Sequence, residues 1–249
     1  MHYEDFKHAV AQPHRGGAEL GAVVVLYAIY ELARGFGDTT LDAARANTAW
    51  IVDLERSLGL YVESGVQAWA QSLPGLPSIL GIAYVTLHIG ATAAALIWLY
   101  RAHRERFALV RNALVLATAA SLVVYVMFPA APPRLAGLGF VDTVSQHTHV
   151  DLSSDLLGSL YNPFAAVPSM HFGYAVIVGA ALFAYAQHRS LRWIGAVYPP
   201  FMLFVIVATG NHFIFDAVAG GLIVAAAWLL ARALVAAPHV VRQAVPADA

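Results

Sequence analysis

Two histidines, His171 and His212, each stand at the start of an apolar run that is long enough to cross a membrane. The runs cover about residues 167–187 and 213–231. A pair of imidazoles at the mouths of two helices can divide the work of phosphoryl transfer. One can attack phosphorus, while the other gives a proton to the leaving oxygen and then takes one from water or an alcohol. These histidines therefore predict a phosphoryl-transfer site at a membrane surface.

Asp216 lies four residues after His212, so the two side chains share one face of a helix, one turn apart. A carboxylate there can accept the proton of one imidazole nitrogen, which fixes the tautomer and leaves the other nitrogen free to attack. The same spacing also suits a structural pair with no catalytic role. Function is favoured because Asp216 lies in an apolar run, where an ionised carboxylate is costly and usually marks a site.

Pro168 and Ser169 precede His171 in the way that suits the first turn and the cap of a helix. They predict a helix start whose N–H groups can bind a phosphate, and the run after His212 begins in the same way. An incidental histidine on a well-capped helix is the plainer alternative. Arg134 follows two prolines at the end of another apolar run, and it can clamp phosphate oxygens or anchor the chain at lipid headgroups.

The composition is that of a membrane protein. Of 249 residues, 59% are hydrophobic and 12% are charged, whereas soluble domains carry about 25% charged residues. The net charge of -1 gives no reason to expect nucleic acid as a partner. The chain has no cysteine, which excludes disulfides, thiolate metal sites and cysteine nucleophiles.

Six apolar runs predict an all-α polytopic protein with six transmembrane helices, since a bilayer core of about 30 Å needs roughly 20 apolar residues per helix. The runs are about 20–35, 76–100, 109–128, 167–187, 193–210 and 213–231. We expect residues 1–236 to form a single transmembrane catalytic domain, with its first run an anchor and not a removed leader. Residues 237–249, rich in proline and alanine, are predicted to be a disordered tail.

The basic residues predict the orientation. With a cytoplasmic N-terminus, ten of the 14 Lys and Arg residues fall inside, and the other four, Arg34, Arg45, Arg56 and Arg134, fall outside. This is the positive-inside asymmetry of plasma or inner-membrane proteins. Both termini are then cytoplasmic, and the polar motifs with Arg134, His171 and His212 all reach the extracytoplasmic side. Topology did not impose that convergence, so it favours one shared site.

Residues 38–75, on the predicted extracytoplasmic side, have the pattern of an amphipathic helix, or of a pair of helices broken near Gly59. Trp50 and Trp69 suit the lipid headgroup zone. Charged side chains, Glu55 and Glu63 among them, occupy other faces than the apolar series. That series is Ile51, Leu54, Leu58, Val62, Val66, Trp69 and Leu73. The segment either caps the bundle or gates the sideways entry of a lipid.

Other polar residues lie near these motifs in sequence. His88, in the second run, either makes a structural hydrogen bond between helices or supports the site or a substrate tunnel. Tyr125 and Asn162 flank the motifs and are further candidates for a supporting role. His147 and His149, in the loop 129–166, leave a zinc site open as an alternative to solvent-exposed histidines.

Taken together, three motifs resemble the type 2 phosphatidic acid phosphatase superfamily, and more closely its branch of inositol phosphorylceramide synthases and bacterial relatives. They are PPR at residues 132–134, PSMH at 168–171 and NHFIFD at 211–216, called the first, second and third motif below. The resemblance implies a nucleophilic His212 that forms a phosphohistidine, Asp216 that orients it, and His171 as general acid and base. It implies that Arg134, Ser169 and Asn211 hold the phosphate, with no metal and no organic cofactor.

Five residues depart from the superfamily pattern. Met127 stands where it has lysine, Leu135 where it has proline, Met170 where it usually has glycine, and Val205–Ile206 where it has serine and arginine. Two phosphate-binding cations are therefore missing. Either loop residues replace them, or the substrate carries less charge, as a phosphodiester does. The replacements that we consider are His147, His149, Arg45 and Arg56.

We therefore expect an enzyme acting on a membrane lipid phosphate, diphosphate or phosphodiester. An alternative is a transferase that passes a phospho-headgroup to an alcohol such as inositol. Two other classes stay open. A heme-binding carrier needs histidines facing each other within the bilayer, and a proton-coupled transporter could use Asp216, His88 and Glu31 as a relay. The sequence does not predict the oligomeric state.

Overall fold

Helices make up the regular secondary structure in the part of the chain that the structure describes. The structure is a computed structural model that describes residues 40–148, 150 and 162–244, with side chains up to residue 235. All of these residues belong to one unit, Thr39–Ala249. Within these ranges there are eight α-helices and no strand, which confirms the all-α prediction. The helices are α1 Leu41–Ser57, α2 Glu63–Gln71, α3 Leu76–Ala102, α4 Arg104–Met127, α5 Thr143–His147, α6 Met170–Tyr185, α7 Arg189–Ala208 and α8 Ile214–Ala244.

Four of these helices are long and apolar enough to cross a bilayer: α3, α4, α7 and the part Ile214–Val235 of α8. The protein is therefore membrane-embedded. The prediction of six spans is only partly confirmed. The run 20–35 lies outside the described residues. Helix α6 is apolar but has 16 residues, fewer than the roughly 20 that a straight span needs. The predicted tail 237–249 stays a prediction, although α8 is assigned up to Ala244.

The short helix α6 lies at the centre of the bundle. It packs against α3, α4, α7 and α8. Its backbone approaches that of α7 closely, because a Cβ added to Gly179 would lie 2.5 Å from the carbonyl oxygen of Gly195. Small residues at such a crossing let two helices pack within a membrane. The start of α6, which carries the second motif, is thereby held at a fixed depth among its neighbours.

The amphipathic segment is a pair of helices, α1 and α2, separated at Gly59 (φ 69°), as one of the two sequence interpretations had it. Their packing was not predicted. Most of the apolar series points outward, with Leu58 62% and Trp69 55% exposed. Two acidic side chains point inward, since Glu55 is 2% and Glu63 0% exposed. Periodicity showed which residues share a face, but not which face contacts the bundle.

Candidate active site

The three motifs meet at one end of the helix bundle, where α4 and α7 end and α6 and α8 begin. Main-chain hydrogen bonds join them directly. The Arg134 N–H donates to the Gly210 carbonyl at 2.9 Å, which links the first motif to the residue before the third. The Ser169 N–H donates to the Asp216 carbonyl at 2.9 Å, which links the second motif to the third. The convergence expected from the sequence is therefore present, and it is built into the backbone.

Helix α1 holds the chain just before the first motif. The Thr48 hydroxyl donates to the Ala131 carbonyl at 2.9 Å, and the Asn47 amide donates to the Pro129 carbonyl at 2.7 Å. The Ala130 N–H, in turn, donates to the Phe164 carbonyl at 2.8 Å, in the loop that leads to the second motif. The segment 41–71 thus forms a cap over the motifs. A role in lipid gating stays a prediction.

The environment of His212 fixes its tautomer. Its Nδ1 lies 3.0 Å from the Ala166 carbonyl oxygen and 3.2 Å from Asp216 Oδ2. Both partners are acceptors, so Nδ1 must carry the hydrogen, and in the neutral ring Nε2 then keeps its lone pair. The ring is 5% and Asp216 0% exposed. This is the orientation that a nucleophilic imidazole needs.

His171 lies next to His212, with their ring centroids 5.7 Å apart. The ring of His171 stacks on that of Tyr84 at 4.2 Å, nearly parallel, and it contacts the ring of His88 at 4.2 Å. One phosphoryl group can reach both imidazoles at this separation, which suits an attack from one side and proton transfer on the other. The two rings lie side by side at the mouth of the bundle, as expected.

The Arg134 guanidinium is held by two neighbours. Its Nη1 donates to Asn211 Oδ1 at 2.7 Å, and its Nε lies 3.4 Å from Asp142 Oδ2. The Asn211 amide nitrogen donates to the Thr209 hydroxyl at 2.9 Å. Arg134 and Asn211 are therefore brought together beside His212, as the phosphate-binding prediction requires. Asp142 as a partner of Arg134 was not predicted, since nothing in the sequence separates it from the other loop aspartates.

Ser169 is the N-cap of α6. It is fully buried, and its hydroxyl accepts a hydrogen bond from the Phe172 N–H at 3.4 Å. Helix α8 passes so close that a Cβ added to Gly220 would collide with the Ser169 carbonyl. The cap predicted from the Pro-Ser pair is present, and a glycine on the neighbouring helix makes room for it.

The start of α8 differs from the sequence prediction. We expected its N–H groups to be open to a phosphate, but three carboxylates occupy them. Asp216 Oδ2 accepts from the Phe213 N–H at 2.9 Å. Glu63 Oε1 accepts from the Ile214 N–H at 2.9 Å, and Glu55 Oε1 accepts from the Phe215 N–H at 2.6 Å. The prediction fails because these two acids are more than 150 residues away in sequence and reach the helix only through the fold.

The supporting candidates fall into three environments. His88 contacts the ring of His171, and its buried Nδ1 has no hydrogen-bond partner among the described atoms. The Tyr125 hydroxyl donates to the Pro168 carbonyl at 2.9 Å and so supports the second motif. The Asn162 side chain accepts from the Phe164 N–H at 2.9 Å and shapes the turn before that motif. His88 and Tyr125 contact the site; the described contacts of Asn162 are local.

The structure also distinguishes among the residues that could replace the missing phosphate-binding cations. The Arg45 Nε donates to the Leu135 carbonyl at 2.9 Å, directly after the first motif. Arg56 is exposed and lies 4.0 Å from Asp53 on its own helix. His147 is exposed at the end of α5, and His149 lies outside the described residues. Of these side chains, the structure brings Arg45 to the motifs.

The residues at the positions where the pattern departs are apolar and offer no positive charge to a phosphate. Val205 and Ile206 are fully buried among the helices, and Met127 is largely exposed at the end of α4. The Met170 sulfur accepts a hydrogen bond from the Ser121 hydroxyl at 2.9 Å. Among the described residues, no group of three or more His, Asp or Glu side chains could hold a metal ion.

Comparison with protein families decides the membership. A family model described as the PAP2 superfamily matches residues 49–230, which is most of the chain. The chain belongs to the PAP2 superfamily. This confirms the broad resemblance, whereas the inositol phosphorylceramide synthase branch stays a prediction. A comparison with curated proteins found no match, and neither did one with solved structures. The matched range contains all three motifs, the second half of α1 and all of α2, whereas residues 41–48 of the cap lie before it.

Proposed function

We propose that this PAP2 protein is a membrane enzyme that cleaves a lipid phosphate, diphosphate or phosphodiester through a phosphohistidine at His212. The observation that supports this most is the position of His212 Nδ1 between two acceptors, the Ala166 carbonyl and Asp216. That arrangement leaves Nε2 as the nucleophile. The ring of His171 lies 5.7 Å from that of His212, so both imidazoles can contact the same phosphoryl group. Positioning and charge stabilisation should supply most of the rate enhancement.

In the first half-reaction, His212 Nε2 forms a bond to phosphorus while the bond from phosphorus to the lipid oxygen breaks. Protonated His171 gives its proton to that leaving oxygen. Asp216 accepts the hydrogen bond from Nδ1 and stabilises the positive charge that develops on the ring. The Arg134 guanidinium and the start of α6 bind the phosphate oxygens. The products are the lipid alcohol and phosphohistidine.

In the second half-reaction, neutral His171 takes a proton from water or from an alcohol. The oxygen so activated attacks phosphorus, and the bond between phosphorus and His212 Nε2 breaks. Water gives a phosphatase, and an alcohol gives a phosphotransferase. The cycle leaves His171 protonated and His212 neutral, so it needs no metal and no organic cofactor.

A second candidate function is the transfer of a phospho-headgroup from a diester lipid to an alcohol such as inositol. The capping of α8 by three carboxylates favours it, because that helix start cannot bind phosphate oxygens. Arg134 has Asp142 beside it, which lowers the local positive charge further. A phosphodiester carries about one negative charge and a monoester up to two. A weakly cationic site therefore suits the diester.

The test is a substrate panel with purified protein: lipid phosphates, lipid diphosphates and phosphoinositides, each with and without inositol. We expect phosphate release or a new lipid, inhibition by vanadate, and an acid-labile phosphoprotein when a substrate labelled at phosphorus is quenched with alkali. His212→Ala should abolish turnover and label together. His171→Ala should nearly abolish turnover while substrate binding stays measurable. Full activity in either variant contradicts the proposal, as does proton-coupled flux in liposomes without phosphate release.

We also propose that the motifs face the extracytoplasmic side of the plasma membrane. Because the chain has no cysteine, single cysteines can be introduced without a prior background. His147→Cys, in an exposed position near the motifs, should react with a membrane-impermeant maleimide in intact cells. Arg106→Cys, exposed at the opposite end in the first turn of α4, is the matched control and should react only after lysis. The reverse pattern contradicts this orientation.

A further inference from the structure

Glu55 and Glu63 have no part in the reaction described above, yet both are buried at the start of the helix that follows His212. They come from two different helices, α1 and α2, and each accepts one α8 N–H through its Oε1. Their second oxygens, Oε2 in both cases, are buried without any hydrogen-bond partner among the described atoms. A buried charged oxygen without a partner is costly, so this arrangement needs an explanation.

A single shared proton would give both unpaired Oε2 atoms a hydrogen-bond partner. The two side chains lie side by side, because their Oε1 atoms accept from the N–H groups of adjacent residues, Ile214 and Phe215. If one carboxyl is protonated, its O–H can donate to the ionised partner, and both free oxygens are satisfied at once. A shared metal ion is the other way to pair such oxygens, but no group of three or more His, Asp or Glu among the described side chains could hold one.

We propose that Glu55 and Glu63 are a proton-sharing carboxyl pair that fixes the start of α8 and thereby positions His212. The chain of contacts is short. The pair holds the N–H groups of Ile214 and Phe215, Asp216 holds that of Phe213, and the same Asp216 oxygen contacts His212 Nδ1. The role as positioning residues rests on the proposed function of His212, whereas the shared proton does not.

The surroundings of the pair support one proton and one negative charge. Burial is the largest cause that raises the pKa of Glu55, to about 8, and the charge of Glu63 raises it further, while the Phe215 N–H opposes the shift. Asp216 faces the pair from α8 and adds to the repulsion. Arg56 and Tyr61 lie on the outer side, where burial raises the pKa of Tyr61. Two full charges beside Asp216 would therefore repel each other in a dry environment.

The raised pKa of Glu55 makes the stability of the folded protein depend on pH. The folded protein keeps the Glu55 proton up to about pH 8, whereas the unfolded chain loses it near the ordinary glutamate pKa of 4.5. The stability that this proton contributes is fully present below the unfolded pKa and is lost as pH rises through the folded pKa. Glu55→Gln imitates the protonated form and cannot ionise, so the variant should lose less stability in that window.

The first experiment needs no substrate. Infrared difference spectra of purified protein near neutral pH should show the carbonyl band of a buried carboxylic acid, which Glu55→Gln or Glu63→Gln shifts or removes. The melting temperature of the wild type should fall from about pH 6 to about pH 9, and Glu55→Gln should reduce that fall by at least about half. Asp53→Asn, an exposed acid on the same helix, is the matched control and should change neither result.

The second experiment tests positioning. Glu55→Ala leaves the Phe215 N–H without its partner, and we expect kcat to fall about 100-fold with KM nearly constant. Glu55→Gln should restore most of kcat and remove any loss of activity that the wild type shows above about pH 8. Equal kcat in the alanine and glutamine variants overturns the positioning role. An unchanged carbonyl band overturns the shared proton, even if the proposed reaction at His212 fails by its own test.

Discussion

The two helices that open onto the site begin with similar sequences but with different electrostatics. Helix α6 is capped by one neutral hydroxyl, that of Ser169. Helix α8 is capped by three carboxyl groups, from Asp216, Glu63 and Glu55. A helix N-terminus carries a partial positive charge. At the start of α6 this charge is available to an anion, whereas at the start of α8 the protein's own acidic side chains compensate it. In the proposed function, the phosphate would therefore bind at the start of α6, and the start of α8 would hold the nucleophile His212 in place.

Asp216→Asn is the substitution that should most strongly impair the role proposed for the start of α8. An amide at this position can still accept from the Phe213 N–H, but it no longer stabilises a positively charged His212 ring. We expect kcat to fall about 10,000-fold with the helical circular dichroism unchanged. Asp142→Asn, which alters the partner of Arg134 and not that of His212, is the comparison and should act mainly on KM. Similar kcat losses in both variants would argue against the special role of the α8 cap.

Gly220→Ala tests how closely the two helix starts must approach. The added methyl group collides with the Ser169 carbonyl, so α8 must shift away from the second motif, and we expect kcat/KM to fall about 100-fold. Gly221→Ala is a matched control on the same helix, because its nearest neighbour is at 3.5 Å, an ordinary contact. Equal activity of the two variants in the same assay contradicts the close approach.

Ser169→Ala removes the neutral cap of α6. Loss of an N-cap costs about 1 kcal/mol, and here it should also weaken phosphate binding, so that KM rises about tenfold while kcat changes less. Thr40→Ala removes the cap of α1, because the Thr40 hydroxyl accepts from the Ala43 N–H at 3.2 Å. That control should lower the melting temperature without raising KM. If KM rises equally in both, the effect is one of stability alone.

Arg45→Ala should have the smallest effect and sharpens the charge comparison. Arg45 contacts the Leu135 carbonyl beside the first motif, whereas Arg56, on the same helix, pairs with Asp53 at the surface. An exposed cation near a bound phosphate is worth roughly 1 kcal/mol, so KM should rise about fivefold for Arg45→Ala and stay constant for Arg56→Ala at low salt. High salt should reduce the difference.

The sequence indicated which motif residues meet at the site better than it indicated what holds them in place. Motif residues such as His171, His212 and Asp216 can be recognised in the sequence, because an ionisable side chain within an apolar run is costly and usually indicates function. Glu55 and Glu63 give no such signal, since each lies in a segment with other acids, and Asp53 two residues before Glu55 is exposed. Their partners are N–H groups of the main chain, which every residue carries and no pattern marks.

The amino-acid sequence by itself determined the all-α membrane class, the pairing of His212 with Asp216 and the cap at Ser169, because these depend on composition and on spacing over a few residues of the chain. Only the tertiary structure decided which face of α1 and α2 is buried and which helix start stays open to an anion. The reason is physical. Contacts such as that of Glu55 with the Phe215 N–H join residues 160 positions apart, and the packing of whole helices sets their geometry.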